Sequence, residues 1–383
     1  MDCQTYRISS ISNTPPTDVE QLAKSIKSLP PDLRRKIFSL LPYEAVKSFK
    51  TPYLVYWLNG RPDIGLDEMG LTTAEMETLM QKCGNGLRSA SITLNGAEFI
   101  QCVVNLTGLT SLSIAPTVPN VCQVLRIAAK TNLISLELMN KSATLSDLRA
   151  LVLLPCLKAL NVAWNQFQMD EFEALIALTG LTYLNLEVQC YFDVDFKLPI
   201  AKLNVLPYLT NLGLSYNGHQ RESILDVTRL TRLLKLDVSS CLLNAAQATS
   251  IAALPQLTSL NLAHNQLEFP GPIFNECSPL QELNLSNCGL NTLPPLSCLT
   301  NLTVLDYRQN MHSANILIQL GRLTNLKSLT YPQYGGLMGH LVNTIESLPH
   351  LAYLDIGDAT IKQKLAPLFP HLIVSVEAED MEL

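Results

Sequence analysis

Leu257-Thr258-Ser259-Leu260-Asn261-Leu262-Ala263-His264-Asn265 decides how this chain folds. The stretch has the form L-x-x-L-x-L-x-x-N. The same form returns at Leu157 to Asn165, Leu209 to Asn217 and Leu302 to Asn310, the last with Tyr307 as its third apolar residue. Marked by the first leucine, twelve copies begin at Leu87, Leu109, Leu133, Leu157, Leu181, Leu209, Leu233, Leu257, Leu280, Leu302, Leu326 and Leu351. Neighbouring starts differ by 22, 24, 24, 24, 28, 24, 24, 23, 22, 24 and 25 residues. A unit returning at so nearly constant a period is the mark of a repeat architecture.

The pattern has a physical reason. In the x-L-x-L-x centre of each copy successive side chains alternate between two faces, so Leu260 and Leu262 point one way and their neighbours the other. One such strand cannot bury its apolar side alone, and stacked copies share a continuous core behind a parallel sheet. At the ninth position a polar side chain can serve the backbone groups where the strand turns. Asn95, Asn165, Asn217, Asn265 and Asn310 suit that task, and Cys241 and Cys288 are small alternatives that tolerate burial. Lys141, Gln189, Tyr334 and Ala359 depart from it, so the ladder is expected to be irregular there.

The repeats resemble those of leucine-rich-repeat proteins, over residues 84–376. The resemblance implies an α/β fold: a right-handed solenoid, or horseshoe, of about twelve repeats and a terminal strand, with a parallel sheet on its concave side and mostly helical connections on its convex side. Helical patterns at Ser146 to Leu154, Asp170 to Ala177, Ala245 to Ala253, Ser313 to Leu320 and His340 to Ser347 fit those connections. The prolines of Glu268 to Pro272 and Asn291 to Pro295 favour extended backbone, so curvature is expected to flatten there. A last edge strand is expected at Leu372 to Val374, followed by an acidic tail, 377–383.

Composition agrees. Hydrophobic residues are 47% and charged residues 16%, as expected when much of each repeat faces a core. A net charge of −6 argues against a nucleic-acid surface, which needs a basic stripe. Met1 to Asp18 lacks a charged lead followed by an apolar run, so no signal peptide is expected, and no stretch has the length and apolarity of a membrane span. The ten cysteines are dispersed rather than paired in clusters, which suits reduced thiols and a cytoplasmic location. The chain is expected to be a monomer by itself.

The N-terminal part has a different texture. Residues 1–17 are a polar lead, and 18–83 carry a helical pattern without the repeat. Within it, Ser28-Leu29-Pro30-Pro31-Asp32-Leu33-Arg34-Arg35-Lys36-Ile37-Phe38-Ser39-Leu40-Leu41-Pro42 resembles the opening of an F-box, L-P-x-E/D-L-x-x-x-I-F/L-x-x-L-P. Leu29, Pro30, Leu33, Ile37, Phe38, Leu41 and Pro42 fall on the family's apolar positions, and Trp57 near its tryptophan. The resemblance implies short helices that dock a Skp1-type adaptor of a cullin ubiquitin ligase. Thr51-Pro52 interrupts the last of those helices. The segment can also act simply as the cap that a first repeat requires. The regular 24-residue repeats differ from the longer cysteine-rich ones of most eukaryotic F-box receptors, and a translocated bacterial effector working in a host cytoplasm is one version of the resemblance.

Function is expected on the outward positions of the strands. Trp164, Tyr216 and His264 fall in one column on alternate copies, roughly 10 Å apart given the usual strand spacing. Exposed aromatics among polar neighbours are typical anchors of protein contacts. A second column holds Glu137, Asn161, Asn185, Asp237, Asn261, Asn284, Asp306 and Asp355. With Glu187 and Glu282 it makes the face acidic, despite Lys158, Lys235, Arg308 and Lys327, so a basic or polar protein segment is the expected partner. The same Asn and Asp residues can also be ordinary repeat positions bonded along the column. The longest copy inserts Tyr191, Phe192 and Phe196 in an acidic loop, a candidate second contact. The six histidines lack metal-ligand spacing. Ser240 beside His264 could pair, but nothing supplies an oxyanion hole. No catalytic residue, metal or cofactor is assigned.

Overall fold

The computed structural model describes residues 81, 88–92, 108–114, 132–138, 149–165, 169–188, 198–218, 221–267, 274, 278–291, 296–311, 314–331 and 337–376. They fall into two compact units divided between Leu133 and Ile134. In the first, β1 (Ser89–Ile92) and β2 (Ser111–Ile114) pair in parallel with Ser89 opposite Ser111. Leu112 and Ile114 of β2 are fully buried while its serines are half-exposed, which is the alternation expected of the pattern.

The second unit repeats this arrangement through eleven described strands. They are β3 (Ser135–Leu138), β4 (Ala159–Asn161), β5 (Tyr183–Asn185), β6 (Asn211–Gly213), β7 (Lys235–Asp237), β8 (Ser259–Asn261), β9 (Glu282–Asn284), β10 (Val304–Asp306), β11 (Ser328–Thr330), β12 (Tyr353–Asp355) and β13 (Ile373–Ser375). Each pairs in parallel with the next, and the register sets Leu136, Leu160, Leu184, Leu212, Leu236, Leu260, Leu283, Leu305, Leu329, Leu354 and Val374 in one row. The period is therefore a stacking period, one strand to a repeat. All three apolar positions of the founding stretch, Leu257, Leu260 and Leu262, lie in the core, and Tyr307 is fully buried in the place of the third.

A turn that the nine-residue pattern does not contain leads into the strands. The Leu257 N–H donates to the Leu254 carbonyl, and the same three-residue step joins Leu206 to Leu209, Leu230 to Leu233 and Leu323 to Leu326. Just after it, the N–H groups of Thr258 and Ser259 share the Leu234 carbonyl (2.8 and 3.0 Å), so a strand engages its neighbour before it is fully extended.

Short helices seal the other side of the core. They are α1 (Met169–Ile176), α2 (Arg221–Ile224), α3 (Ala245–Ala252), α4 (Ala314–Leu320), α5 (Met338–Glu346) and α6 (Ala359–Leu365), with 3-10 turns at Leu151–Leu153, Ile200–Val205, Leu225–Arg229 and Leu296–Cys298. They bury residues such as Phe172 and Leu175, Ala248 and Ile251, and Leu317 and Leu320. Asn244 starts α3 with a reciprocal cap: its side chain accepts from the Gln247 N–H, and Gln247 accepts from the Asn244 N–H.

Several expectations shift. In the Ser146 to Leu154 segment, residues 149–150 are helical but Leu151–Leu153 form a 3-10 turn. Helix α6 was not expected at all; Asp358, which stands two places past the third apolar residue of its copy and so falls by count in the outward column of Trp164, is its N-cap and accepts from the N–H groups of Thr360 and Ile361. The final strand is one residue later than expected. The F-box-like positions Leu29, Pro30, Leu33, Ile37, Phe38, Leu41, Pro42 and Trp57, the loop residues Tyr191, Phe192 and Phe196, the prolines of the two stretches expected to flatten the curvature and the tail 377–383 lie outside the described residues.

Candidate functional site

The strands of the second unit present two rows of outward residues. The row between the inward leucines runs Glu137, Asn161, Asn185, Gly213, Asp237, Asn261, Asn284, Asp306, Thr330 and Asp355. Its Asn and Asp side chains have a structural task. Asn161, Asn185, Asp237, Asn261, Asn284 and Asp306 each accept, through Oδ1, the backbone N–H two residues on (2.9 to 3.1 Å). A short carboxylate or amide is suited to that local turn. Bonding along the row is represented by Asn261 Nδ2, which donates to Asp237 Oδ2 at 2.9 Å. These residues thus hold the turn that ends each strand, and hold their own side chains still in doing so.

The column of Trp164, Tyr216 and His264 is placed differently from expectation. All three lie beyond the strand ends with positive φ (61, 57 and 57°), as do Val188, Ser240, Asn287 and Gln309 between and after them. They belong to a left-handed turn at the sheet's edge, not to outward strand positions. The stacking continues through that turn: Trp164 N–H donates to the Glu187 carbonyl, Tyr216 to Ser239 and His264 to Ser286 (2.9 to 3.0 Å). Bulky residues pay about 1 kcal/mol or more for this backbone region, yet Trp164 and Tyr216 stay 45% and 51% exposed. His264 Nδ1 lies within hydrogen-bond distance of Asn287 Nδ2 (2.9 Å).

Below the turns, asparagine forms the ladder that the pattern predicts. Asn265 Nδ2 donates to the carbonyls of Val238, Leu262 and Ala263, and its Oδ1 accepts from the N–H groups of Cys241 and Leu243. Asn310 repeats the arrangement two repeats on. Cys241 and Cys288 make the equivalent sulfur contacts, to the Leu214 and Leu262 carbonyls (3.2 and 3.1 Å). Burial pushes both thiols up to about 12. The neutral thiol is the form the fold favours, so its contribution is fully present below pH 9 and is lost as pH rises from about 9 to about 12. A thiol reagent at pH 8, read by peptide mass spectrometry, is expected to label exposed Cys156 within minutes and Cys241 and Cys288 only on unfolding.

The face has one dent that matters. A depression of about 270 Å³ opens across β5 to β8, lined by Tyr183, Asn185, Glu187, Gly213, Ser215, Lys235, Asp237 and Asn261. Gly213 makes it, because it stands where the neighbouring strands carry Asn185 and Asp237. A methyl group there would come 2.5 Å from Asn185 Oδ1, which leans into the space. Glu187 sits high for a carboxylate through burial and the nearby Asp237 charge, against bonds from Asn185 and Ser215. Tyr183 is raised by burial first and then by the charges of Glu137, Glu187 and Asp237. Lys235 reaches Glu282 on β9 instead (3.3 Å). A Ser259 hydrogen bond and the Lys235 charge hold Glu282 low.

Of the expected face residues, then, Glu187 and Asp237 line one depression, while Glu137 stands on β3, four strands from Asp237 along the row. Asp306 and Arg308 do not join them: Arg308 Nε donates to both Asp306 oxygens (2.9 and 3.2 Å), so the two charges largely cancel. Burial nevertheless leaves Asp306 above its ordinary range. Tyr183, Gly213 and Ser215 are site residues that sequence reading missed. The signal available was the lone glycine in a row otherwise dominated by Asn and Asp.

Among the described residues, no helix is long and apolar enough to cross a membrane. Residues 279–302 match the family model Leucine Rich Repeat. A search of curated proteins finds none that matches the chain. Similar solved structures include an internalin (inlF) from Listeria monocytogenes, at 18% identity over 81% of this chain and 90% of that one, with a TM-score of 0.48. A leucine-rich-repeat protein of Leptospira interrogans is similar at 17% identity over 82% and 94%, with a TM-score of 0.35. The receptor TLR13, solved in complex with ssRNA13, is similar at 21% identity over 78% of this chain and 44% of its own, with a TM-score of 0.44.

Proposed function

We propose that the outward face of the second unit's sheet holds a protein partner, and that the chain is the substrate receptor of a Skp1–cullin ubiquitin ligase. The single observation that carries the first part is the face itself, whose polar rows are held in place by caps within each repeat. A surface whose side chains are already ordered loses little entropy when a partner lands on it. The second part rests on the resemblance of Leu29 to Pro42 to an F-box opening, upstream of leucine-rich repeats. In this reading the segment docks the adaptor, the face holds the target, and other subunits transfer ubiquitin; the receptor is no enzyme. The work is done in a cytoplasm, that of a host if the chain is a translocated effector.

A second reading is a cytoplasmic scaffold or inhibitor that binds its partner directly, with residues 18–83 only capping the repeats. Thr51-Pro52, inside what would be the last F-box helix, favours it.

A pull-down of the purified full chain with a Skp1–cullin sub-complex separates the two, beside a Leu33→Asp/Phe38→Asp variant whose circular dichroism matches wild type. The expected outcome is retention of the sub-complex by wild type and its loss from the variant. A wild-type chain that retains nothing would remove the receptor reading and leave the scaffold.

A further inference from the structure

We propose that the depression at Gly213 is a seat for one arginine side chain, carried on an extended segment of the protein partner. This rests on the reading of the sheet face as a protein-binding surface. Shape is the first reason. The missing side chain at Gly213 drops the floor of the face to backbone between Asn185 and Asp237, leaving about 270 Å³ open to solvent. That room suits a flat terminal group arriving from above.

Charge is the second reason. Glu187 and Asp237 both line the space. The lysine of the lining, Lys235, is engaged with Glu282 on the far side. A carboxylate such as Glu187, disfavoured by burial and by a second carboxylate, regains solvation when a cation arrives.

The third reason decides which cation. Tyr183 stands at the rim, 37% exposed, and offers a ring face. A guanidinium can stack on it and still direct its planar fork of N–H groups at carboxylate and amide oxygens, which an ammonium cannot do. Asn185 Oδ1, leaning over Gly213, supplies an amide acceptor. Among the described residues no group of three or more His, Cys, Asp or Glu is placed to hold a metal ion.

The test uses the full chain and four Gly/Ser peptides that differ at one central residue: arginine, lysine, citrulline or glutamate. Ligand-observed NMR titrations are expected to show the arginine peptide binding with Kd on the order of 1 mM, lysine weaker, and citrulline and glutamate at least about tenfold weaker. Glu187→Gln keeps the shape and is expected to weaken the arginine peptide about tenfold, the worth of a charged hydrogen bond. Gly213→Asn fills the depression and is expected to abolish binding; because its Cβ must push Asn185 aside, its melt is expected to fall by a few degrees, and Glu187→Gln, which keeps the shape, decides the charge argument. Equal binding of arginine and citrulline, or no effect of Glu187→Gln, overturns the inference. Proteins that co-purify with the chain separate this from the broader reading. Retention that survives Glu187→Gln and Gly213→Asn but is lost in Ala159→Arg/Val304→Arg leaves the face as a binding surface and removes the arginine seat. Retention indifferent to every change removes the reading of the face.

Discussion

Asn265→Ala is expected to destabilise the second unit by about 3–5 kcal/mol, because it orphans buried backbone groups and not merely because it removes an amide. Asn265 is only 3% exposed and joins two repeats through five bonds. Without it, the N–H groups of Cys241 and Leu243 and the carbonyls of Val238, Leu262 and Ala263 lose this partner where water cannot easily replace it. Asn265→Cys is expected to cost less, since a thiol in the equivalent place of the preceding repeat already bonds the Leu214 carbonyl at 3.2 Å. Urea unfolding followed by circular dichroism measures both, and exposed Asn204→Ala, expected within about 0.5 kcal/mol of wild type, serves as the control. A cost below about 1 kcal/mol for Asn265→Ala would mean that the ladder does not hold the stack. Hydrogen exchange should locate the loss at the Cys241 and Leu243 amides, because each repeat leans chiefly on its neighbours.

Tyr307→Ala is expected to cost about 3–5 kcal/mol, the range for emptying a buried aromatic site. Tyr307 fills the third apolar position, fully buried, with its ring stacked on Tyr331 at a centroid distance of 6.1 Å and 13° between planes. Tyr307→Leu restores the usual residue of the pattern but leaves part of the ring's volume empty, for an expected cost of about 1–2 kcal/mol. Tyr307→Phe removes only a long bond from Oη to the Leu290 carbonyl (3.4 Å), with an expected cost under about 1 kcal/mol. The ordering Ala, Leu, Phe in thermal melts tests whether volume or the hydroxyl matters; Phe as costly as Ala would sink the packing account. Burial and the neighbouring Tyr331 raise the Tyr307 phenol, so the stability it lends is present below pH 10 and declines as the solution becomes more alkaline.

These two residues also mark the reach of sequence reading. That Tyr307 and Asn265 point inward follows from the pattern, because burial at fixed offsets is a local property repeated every 24 residues or so. The same logic gives the strands, their parallel order and the inward leucines. It fails where two conformations share one pattern. Trp164, Tyr216 and His264 occupy a position that alternation assigns to the strand, whereas their positive φ puts them in a turn. It fails again at Asp358, whose carboxylate starts a helix instead of decorating a surface.

By itself the sequence determined the repeat, the row of leucines that stacks, the asparagine ladder and the acidic cast of the outward rows. All of these are set by which side chains can be buried at a given spacing. Only the tertiary structure decided which charges meet. Lys235 finds Glu282 47 positions away, Arg308 is held by Asp306, and Glu187 and Asp237 meet Tyr183 in the lining of one depression. It also turned the lone Gly213 into a depression, since a missing side chain becomes a space only when stacked strands supply its walls. Both the pairings and the space depend on the register between repeats and on side-chain reach across it, and a one-dimensional pattern records neither.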